Sequence, residues 1–469
     1  MLDPLSLLPL SLAAHGGRVD EFEVQQLVAA GLTLLQRSAP LVRALAGKRS
    51  AILLPTSPQF FVALAASEGR GAVLVNPLAS PYEIAHQIAD AGVGAVFTNA
   101  ALAAALPPNV PRALLDDAPR GATVIAGGTA RNVDLGSHVG LSLEGDPDAP
   151  GSDEEATIVY TSAMAGVPLG AILTHRNLLA NARSTMAASA NSSGDRVLAL
   201  LPFSHLFGLT VTATAPLLAG AVVVTMPRFN PARAVELLMS GEITEVVGVP
   251  SVFRALLTAL ARHAVGREAR DALRDLRLCI CGGAPLPVRL QELWFDATGS
   301  ELRQGYGLTE ASPVCLFNRV DRPNVRGALG APLPGVEVAL RDGEILVRGD
   351  NVFRGYVSNG GDGLAVDDGW LHTGDRGVPA DDGTVVFEGL IKPMFTRNGF
   401  NIYPREIERV VEELHGVERA RAYAVPGADD SAEVDIALDV RGRTTEAAVR
   451  AWCGERLSRY KQPTLIRLL

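Results

Sequence analysis

The first segment with residues suited to chemistry is a loop of small residues that follows an apolar strand. The sequence TIVYTSAMAGVPLGAILTHRNL occupies positions 157–178. The strand is predicted to end at Tyr160 and the loop to run from Thr161 to Gly170. Backbone N–H groups and hydroxyls in such a loop bind phosphate groups. A plain turn between a strand and a helix has the same composition, so the loop alone leaves both interpretations open.

Three side chains farther along the chain could bind parts of a nucleotide. Asp375 lies in a glycine turn, where its carboxylate could accept two hydrogen bonds from a sugar or cap the turn. Tyr306 lies between two glycines, so its ring could lie flat against a base or pack in the core. Glu310 follows Thr309 in a predicted loop, where its carboxylate could ligate Mg²⁺ between phosphates or remain solvated. The residues alone do not decide between these alternatives.

Lysine is scarce in this sequence. Its 42 lysine and arginine residues include three lysines, Lys48, Lys392 and Lys461. Mutational bias toward arginine codons is a sufficient cause. The scarcity still restricts the mechanism, because any step that needs a lysine ammonium group has only these candidates.

The glycine loop resembles the signature loop of the adenylate-forming superfamily, which includes acyl-CoA synthetases, luciferases and the adenylation domains of peptide synthetases. That signature reads Thr-Ser-Gly-Thr-Thr-Gly-x-Pro-Lys-Gly and is followed by a Thr-His-x-Asn stretch. The chain departs from it at 163–165 and at Leu169, which stands at the position of the signature lysine. The matching residues are Thr161, Ser162, Gly166, Pro168, Gly170, Thr174, His175 and Asn177.

Six further segments resemble motifs of the same family and follow in the same order. They are LPFSHLFGL (201–209), CGGAPLP (281–287), QGYGLTEASP (304–313), GEILVRGDNVFRGY (343–356), WLHTGD (370–375) and GLIKPMFTRNGFNIYPREIE (389–408). No single motif would suffice, but their order makes the resemblance specific, and together they cover nearly the whole chain.

The resemblance implies a reaction in two steps. A carboxylic acid is activated by ATP as an acyl adenylate, and a thiol of coenzyme A or of a phosphopantetheine carrier then takes the acyl group. ATP or AMP, Mg²⁺ and coenzyme A are the implied cofactors. Catalytic roles fall to Thr161, to His205 and to Glu310, which is also the implied metal ligand. The residues implied for cofactor binding are Ser162, Gly166, Gly283, Ala284, Pro285, Tyr306, Gly307, Thr309, Asp375 and Lys392.

Other positions differ from the family pattern. Leu169 and Leu390 stand where the family has a lysine and an arginine, and Pro393 replaces a usual acid. Lys392 falls at the hinge about which the small domain rotates between the two half-reactions. The chain ends at Leu469, before the family's Gly-Lys segment, so we expect a truncated small domain. The alternative is a degenerate homologue that binds nucleotide or acyl ligand without adenylation, or that transfers a pre-activated acyl group.

The expected substrate is a small-molecule carboxylic acid. Candidate wall residues are mostly apolar, and no acidic partner for a substrate amine is evident. We therefore expect a fatty or aryl acid rather than an amino acid, with an acyl carrier protein as the alternative thiol donor. The candidate wall residues are His205, Phe207, Val249, Phe253 and Gly283.

The sequence pattern predicts an α/β fold. In residues 1–150 and 151–325, apolar runs alternate with helical stretches, which is typical of βαβ units in doubly wound parallel sheets. Short strands with glycine turns in 326–388 predict a small antiparallel β-barrel or sheet. Residues 1–388 would then form a large N-terminal domain, and residues 389–469 a small α+β C-terminal domain.

Composition and charge exclude several classes of protein. A net charge of −9 argues against a nucleic-acid binder, which needs a basic surface. The N-terminus lacks the basic segment of a signal peptide. The uncharged stretch from Phe203 to Met226 contains serine, histidine, glycine and proline, which favours a buried core over a membrane span. We expect a cytoplasmic protein in a reducing compartment, with buried thiols at Cys279 and Cys281.

Overall fold

The computed structural model describes residues 3–67, 71–137, 140–141, 143–161, 166–263, 267–357, 363–391, 394–397, 400–427 and 434–469. The strands are β1 (Arg18–Val19), β2 (Phe22–Glu23), β3 (Arg49–Ile52), β4 (Ala72–Leu74), β5 (Val93–Thr98), β6 (Arg112–Leu115), β7 (Gly121–Ala126), β8 (Thr129–Asp134), β9 (Glu155–Thr161), β10 (Leu169–Thr174), β11 (Arg196–Ala199), β12 (Val222–Thr225), β13 (Glu245–Gly248), β14 (Leu278–Cys281), β15 (Leu302–Gly307), β16 (Val314–Phe317), β17 (Ala331–Pro332), β18 (Glu337–Arg341), β19 (Glu344–Arg348), β20 (Gly355–Tyr356), β21 (Val366–Asp367), β22 (Trp370–Pro379), β23 (Val385–Leu390), β24 (Phe395–Arg397), β25 (Phe400–Ile402), β26 (Val417–Pro426), β27 (Val434–Gly442) and β28 (Leu465–Leu468). The helices are α1 (Leu8–Ala14), α2 (Val24–Arg37), α3 (Ala39–Leu45), α4 (Gln59–Ala66), α5 (Pro81–Asp90), α6 (His175–Ser189), α7 (Leu206–Leu209), α8 (Ala215–Leu218), α9 (Pro231–Met239), α10 (Pro250–His263), α11 (Arg267–Ala272), α12 (Val288–Thr298), α13 (Pro404–Glu412) and α14 (Glu446–Arg456).

The first large sheet carries a long run of parallel strands. Its order is β17-β16-β15-β14-β13-β11-β12-β1-β2, and the strands from β15 to β1 are parallel to one another. Strands β13 and β14 are buried along their whole length, which explains why neither alternates apolar and polar residues; β14 is apolar throughout, and β13 is apolar apart from Glu245. The carboxyl ends of the parallel strands meet at one edge, the usual place for a ligand in such a sheet.

The second large sheet has the order β20-β10-β9-β4-β3-β5-β6-β7-β8. This sheet combines strands from separate predicted segments. Strands β9, β10 and β20 join strands of residues 1–150, whereas β1 and β2 belong to the first sheet. Local periodicity indicates strands and helices, but it does not reveal which sheet a strand joins. The domain limits near residues 150, 325 and 388 therefore remain predictions.

A small antiparallel sheet follows the two large ones. Its order is β18-β19-β22-β21, with β23 paired to the other part of β22. Within the described residues these ladders do not close on themselves, so the predicted β-barrel is not confirmed. The long strand β22 carries Asp375, and β23 places Leu390 directly opposite it.

The C-terminal residues form a smaller α+β unit with its own core. The hairpin β24–β25 leads into α13, and α13 packs on the sheet β26-β27-β28 together with α14. Ile407 and Val411 of α13 and Leu438 of β27 are buried in an apolar cluster separate from the large core. A large N-terminal domain with a smaller C-terminal one was predicted and is confirmed.

The uncharged stretch from Phe203 to Met226 lies in the large core. It contains α7, a π-helical turn (Thr210–Thr214), α8 and β12. Among the described residues, no helix is both long and apolar enough to cross a membrane. The four cysteines are free and buried, which includes Cys279 and Cys281, for which burial was predicted.

A buried histidine links α6 to the N-terminal segment. The Nδ1 atom of His175 accepts a hydrogen bond from the backbone N–H of Leu8 at 2.9 Å. Burial lowers the pKa of His175 to about 4, so the folded protein holds the neutral ring. Protonation of this ring would remove the acceptor and place a charge in the core.

We expect His175 to make the stability of the protein depend on pH. Because the ring titrates near pH 6.5 in the unfolded chain, its contribution is complete above that pH and is lost as the pH falls toward 4. The loss between pH 7 and pH 5 should be about 2 kcal/mol. The variant His175→Gln keeps an acceptor that does not titrate. Urea unfolding should show a smaller pH dependence in this variant, and an equal one would contradict the prediction.

Candidate active site

A cavity of about 540 Å³ opens beyond the carboxyl ends of β14 and β15. Its walls also include residues of β22 and β23 from the small antiparallel sheet and of the hairpin β24–β25 from the C-terminal domain. It gathers most of the predicted cofactor-binding residues. Those in its lining are Gly283, Ala284, Pro285, Tyr306, Gly307, Thr309 and Asp375.

One wall of this cavity has the features of a purine site. The hydroxyl of Tyr306 donates a hydrogen bond to Oδ2 of Asp375 at 2.7 Å. Burial and the nearby charge of Asp375 raise the pKa of Tyr306, so the phenol keeps its proton. Gln304 lies two residues earlier on the same strand face, and its buried Oε1 has no hydrogen-bond partner among the described residues. This unpaired acceptor fits the exocyclic amine of adenine.

Asp375 lines the same cavity beside Tyr306. It is buried, and its backbone N–H donates to Oγ1 of Thr373 at 3.1 Å, which fixes the turn of the strand. Leu390, across the ladder, lines the cavity and is 38% exposed. The family resemblance implies an arginine at this position, and leucine offers no charge to a nucleotide.

The carboxylate of Glu310 is held by two hydrogen bonds in the wall of a second, smaller cavity and does not line the large one. Its Oε1 accepts hydrogen bonds from Oγ1 of Thr161 at 3.2 Å and from the hydroxyl of Tyr356 at 2.8 Å. Burial and the charge of Glu310 raise the pKa of Tyr356, which therefore remains a donor. Among the described residues, no group of three or more histidine, cysteine, aspartate or glutamate side chains is arranged to hold a metal ion.

His205 lies where the large cavity meets a narrow channel of about 170 Å³. Its Nδ1 accepts a hydrogen bond from the backbone N–H of Phe207 at 3.2 Å, so the ring proton is on Nε2. Burial lowers the pKa of His205 to about 4, and the ring is neutral at pH 7. His205 can therefore donate a hydrogen bond at the junction but brings no positive charge.

The narrow channel runs between α5 and the C-terminal domain. On the α5 side, Nε2 of His86 and Oε1 of Gln87 are buried and have no hydrogen-bond partner among the described residues. Ser458 and Tyr460 lie on the opposite wall. A narrow channel with isolated polar atoms fits an extended arm that carries amide groups, such as the pantetheine of coenzyme A.

The remaining predicted residues either lie outside the described part of the chain or are absent from the cavity linings. Ser162 and Lys392 lie outside the described residues. Gly166 has a φ of 82°, and its position at the end of the glycine loop places it against the backbone of Arg405 in α13. Val249 and Phe253 are absent from the lining of the large cavity. Phe253 instead packs in the core, with its ring centroid 4.9 Å from that of Trp294.

Sequence reasoning missed Gln304, Tyr356 and the channel residues His86 and Gln87. The spacing of Gln304 and Tyr306 along one strand was a usable signal, because residues two apart share a face. Tyr356 meets Glu310 across 46 positions of sequence, which no local pattern reveals. His86 and Gln87 lie on an ordinary amphipathic helix without a motif.

Residues 41–357 match the family model of the AMP-binding enzymes, and the chain belongs to this family. A long-chain-fatty-acid–CoA ligase of Bacillus subtilis (strain 168) is 27% identical over 463 residues, which cover 89% of this chain and 81% of that protein. A feruloyl-CoA synthase of Amycolatopsis sp is 32% identical over 445 residues, with coverages of 89% and 84%. A solved malonyl-CoA ligase, in a ternary product complex with methylmalonyl-CoA and AMP, has a TM-score of 0.79 and 27% identity and covers 100% of this chain and 99% of its own.

These similarities confirm the predicted class, an acid–thiol ligase of the adenylate-forming superfamily that uses ATP and coenzyme A. The alternative of a homologue without adenylation is not favoured.

We expect Gln304 to recognise the amino group of adenine. The variant Gln304→Leu should bind AMP about 10-fold more weakly, because a buried amine would lose its acceptor. Purine riboside monophosphate lacks that amine and should bind to both proteins alike. Calorimetry with the two nucleotides measures the difference, and an equal loss for both would contradict the assignment.

Proposed function

We propose that the protein activates a carboxylic acid with ATP as an acyl adenylate and transfers the acyl group to the thiol of coenzyme A. The main observation behind this proposal is that the large cavity and the narrow channel share lining residues. His205, Leu308 and Thr309 line both the large cavity and the narrow channel. A nucleotide in the first and a thiol arm in the second would have their reacting ends at one place.

In the first half-reaction a carboxylate oxygen of the acid attacks the α-phosphorus of ATP, and pyrophosphate leaves. Charge spreads over the phosphoryl oxygens, so preorganised donors and cations lower the barrier. Tyr306 would hold the base and Asp375 the ribose hydroxyls, which orients the α-phosphate. Glu310 would hold Mg²⁺ together with phosphate oxygens, and the ion would neutralise part of their charge.

In the second half-reaction the thiol sulfur attacks the acyl carbonyl, the bond from the carbonyl carbon to the phosphate oxygen breaks, and AMP and the thiol proton leave. His205 lines both cavities, and its Nε2–H would donate a hydrogen bond to the carbonyl oxygen. Because the ring is neutral, it would stabilise the developing charge as a dipole rather than as a cation.

The walls of the large cavity favour an acid with an apolar body. Phe207, Val211, Ile280 and Phe317 line it, and Arg254 is the one lysine or arginine of its lining among the described residues. We therefore propose a fatty or aryl acid as substrate, a class that includes the acids named for the Bacillus and Amycolatopsis relatives. An acyl carrier protein is the alternative acceptor, and transfer assays with each thiol distinguish the two.

We expect the charge of Glu310 to be essential for adenylation. Glu310→Gln keeps the shape of the side chain but loses the charge that would bind Mg²⁺. Acid-dependent ATP–pyrophosphate exchange, measured with a panel of fatty and aryl acids, should fall about 100-fold or more. The matched variant Tyr356→Phe removes one hydrogen bond to the carboxylate and should cost less. Full exchange in Glu310→Gln, or none with any acid in the wild type, would contradict the proposed function.

We expect an arginine at position 390 to strengthen ATP binding. Leu390 lines the cavity beside Asp375, so Leu390→Arg would add a cation near the sugar and phosphates. The KM for ATP should fall about 10-fold. Ile391→Arg is the control, because Ile391 is 54% exposed and does not line the cavity. An equal effect of both variants would show that only the net charge of the surface matters.

A further inference from the structure

Lys461 is buried at the boundary between α5 and the C-terminal domain. Its Nζ donates to Oε1 of Glu83 at 2.9 Å and to Oε1 of Glu406 at 2.5 Å. Lys461 is 7% exposed and Glu83 9%. Ser458 adds a hydrogen bond from its hydroxyl to Oε2 of Glu83. One ammonium group therefore joins a carboxylate of the large domain to a carboxylate of its own small domain.

The same glutamate also caps α5. Oε2 of Glu83 accepts from the backbone N–H of Ser80 at 2.8 Å, and the hydroxyl of Ser80 accepts from the backbone N–H of Glu83 at 3.2 Å. That hydroxyl also donates to the carbonyl of Arg456 at 2.8 Å. Ser80 and Glu83 therefore both cap α5 and contact the small domain, so a change in the cap would also change the domain contact.

The electrostatics of this cluster depend on the orientation of the small domain. Burial would lower the pKa of Lys461, but the charges of Glu406 and Glu83 raise it above its usual value. Burial would raise the pKa of Glu83, whereas Lys461 and Ser458 lower it. If the small domain rotates away, Glu83 loses its cation while Lys461 keeps Glu406. The ion pair therefore stabilises this orientation relative to one in which Glu83 and Lys461 are apart.

We propose that Glu83, Ser458 and Lys461 form an interdomain clasp that positions the small domain for transfer of the acyl group to the thiol and opens before the domain rotates. All three residues line the narrow channel, so the closed clasp forms part of its wall. The inference rests on the proposed function, because the thiol arm is assigned to that channel. Lys461 is a positioning residue and not the lysine of the adenylation step.

The two carboxylates bound to Lys461 provide matched variants. Glu83→Gln weakens the bond across the domain boundary, and Glu406→Gln weakens the bond inside the small domain to the same ammonium. Pyrophosphate exchange measures adenylation, and single-turnover reaction of preformed acyl adenylate with coenzyme A measures transfer. Glu83→Gln should slow transfer about 10-fold relative to exchange. Glu406→Gln should leave the ratio of the two rates as in the wild type.

A double-mutant cycle and hydrogen exchange complete the test. Lys461→Met should lower the same ratio as Glu83→Gln, and the combined variant should lower it by less than the product of both effects. Amides of residues 456–462 should exchange faster in Glu83→Gln, while those of β26 and β27 stay protected. Hydrogen exchange needs no turnover, so it tests the clasp even if the wild type activates no acid. An unchanged ratio, or unchanged exchange at 456–462, would overturn the clasp.

Discussion

The hydrogen bond between Tyr306 and Asp375 joins the two parts of the large domain that the site requires. Tyr306 belongs to the parallel sheet and Asp375 to the small antiparallel sheet, and 69 positions of sequence separate them. Because Asp375 is buried, its carboxylate would be costly without such a donor. The bond fixes the distance between the ring proposed to contact the base and the carboxylate proposed to contact the sugar. The other walls of the cavity lie around these two side chains.

Few positively charged side chains of the described residues are available to bind phosphate groups at this site. Lys461 is engaged by two carboxylates, and the guanidinium of Arg397 is bound to the carbonyls of Tyr460 and Gln462 and to Asp435. These cations hold the small domain together and do not line the large cavity. Among the described residues, Arg254 is the one lysine or arginine that lines the large cavity, so under the proposed function backbone N–H groups and an ion at Glu310, whose carboxylate two donors hold, would stabilise phosphoryl charge.

The sequence allowed the main residues of the site to be predicted but not their partners. Tyr306, Glu310 and Asp375 lie in short motifs, each beside glycine or threonine, so their positions could be found locally. The bond from Lys461 to Glu83 spans 378 positions and the bond from Thr161 to Glu310 spans 149, and both depend on how whole sheets and domains pack. The same limit explains the unconfirmed β-barrel, because strand periodicity indicates strands but not whether the ladders close.

The close packing of the small domain against the glycine loop requires a small residue at position 166. A Cβ atom at Gly166 would lie 2.6 Å from the carbonyl oxygen of Arg405, well inside van der Waals contact. A larger residue there would push α13 away, and with it the wall that Ser458 and Lys461 contribute to the channel. Glycine at this position is therefore needed for the close approach of the two domains as well as for a loop with a positive φ. Under the proposed function, Gly166 would serve the first half-reaction through the loop and the second through the domain contact.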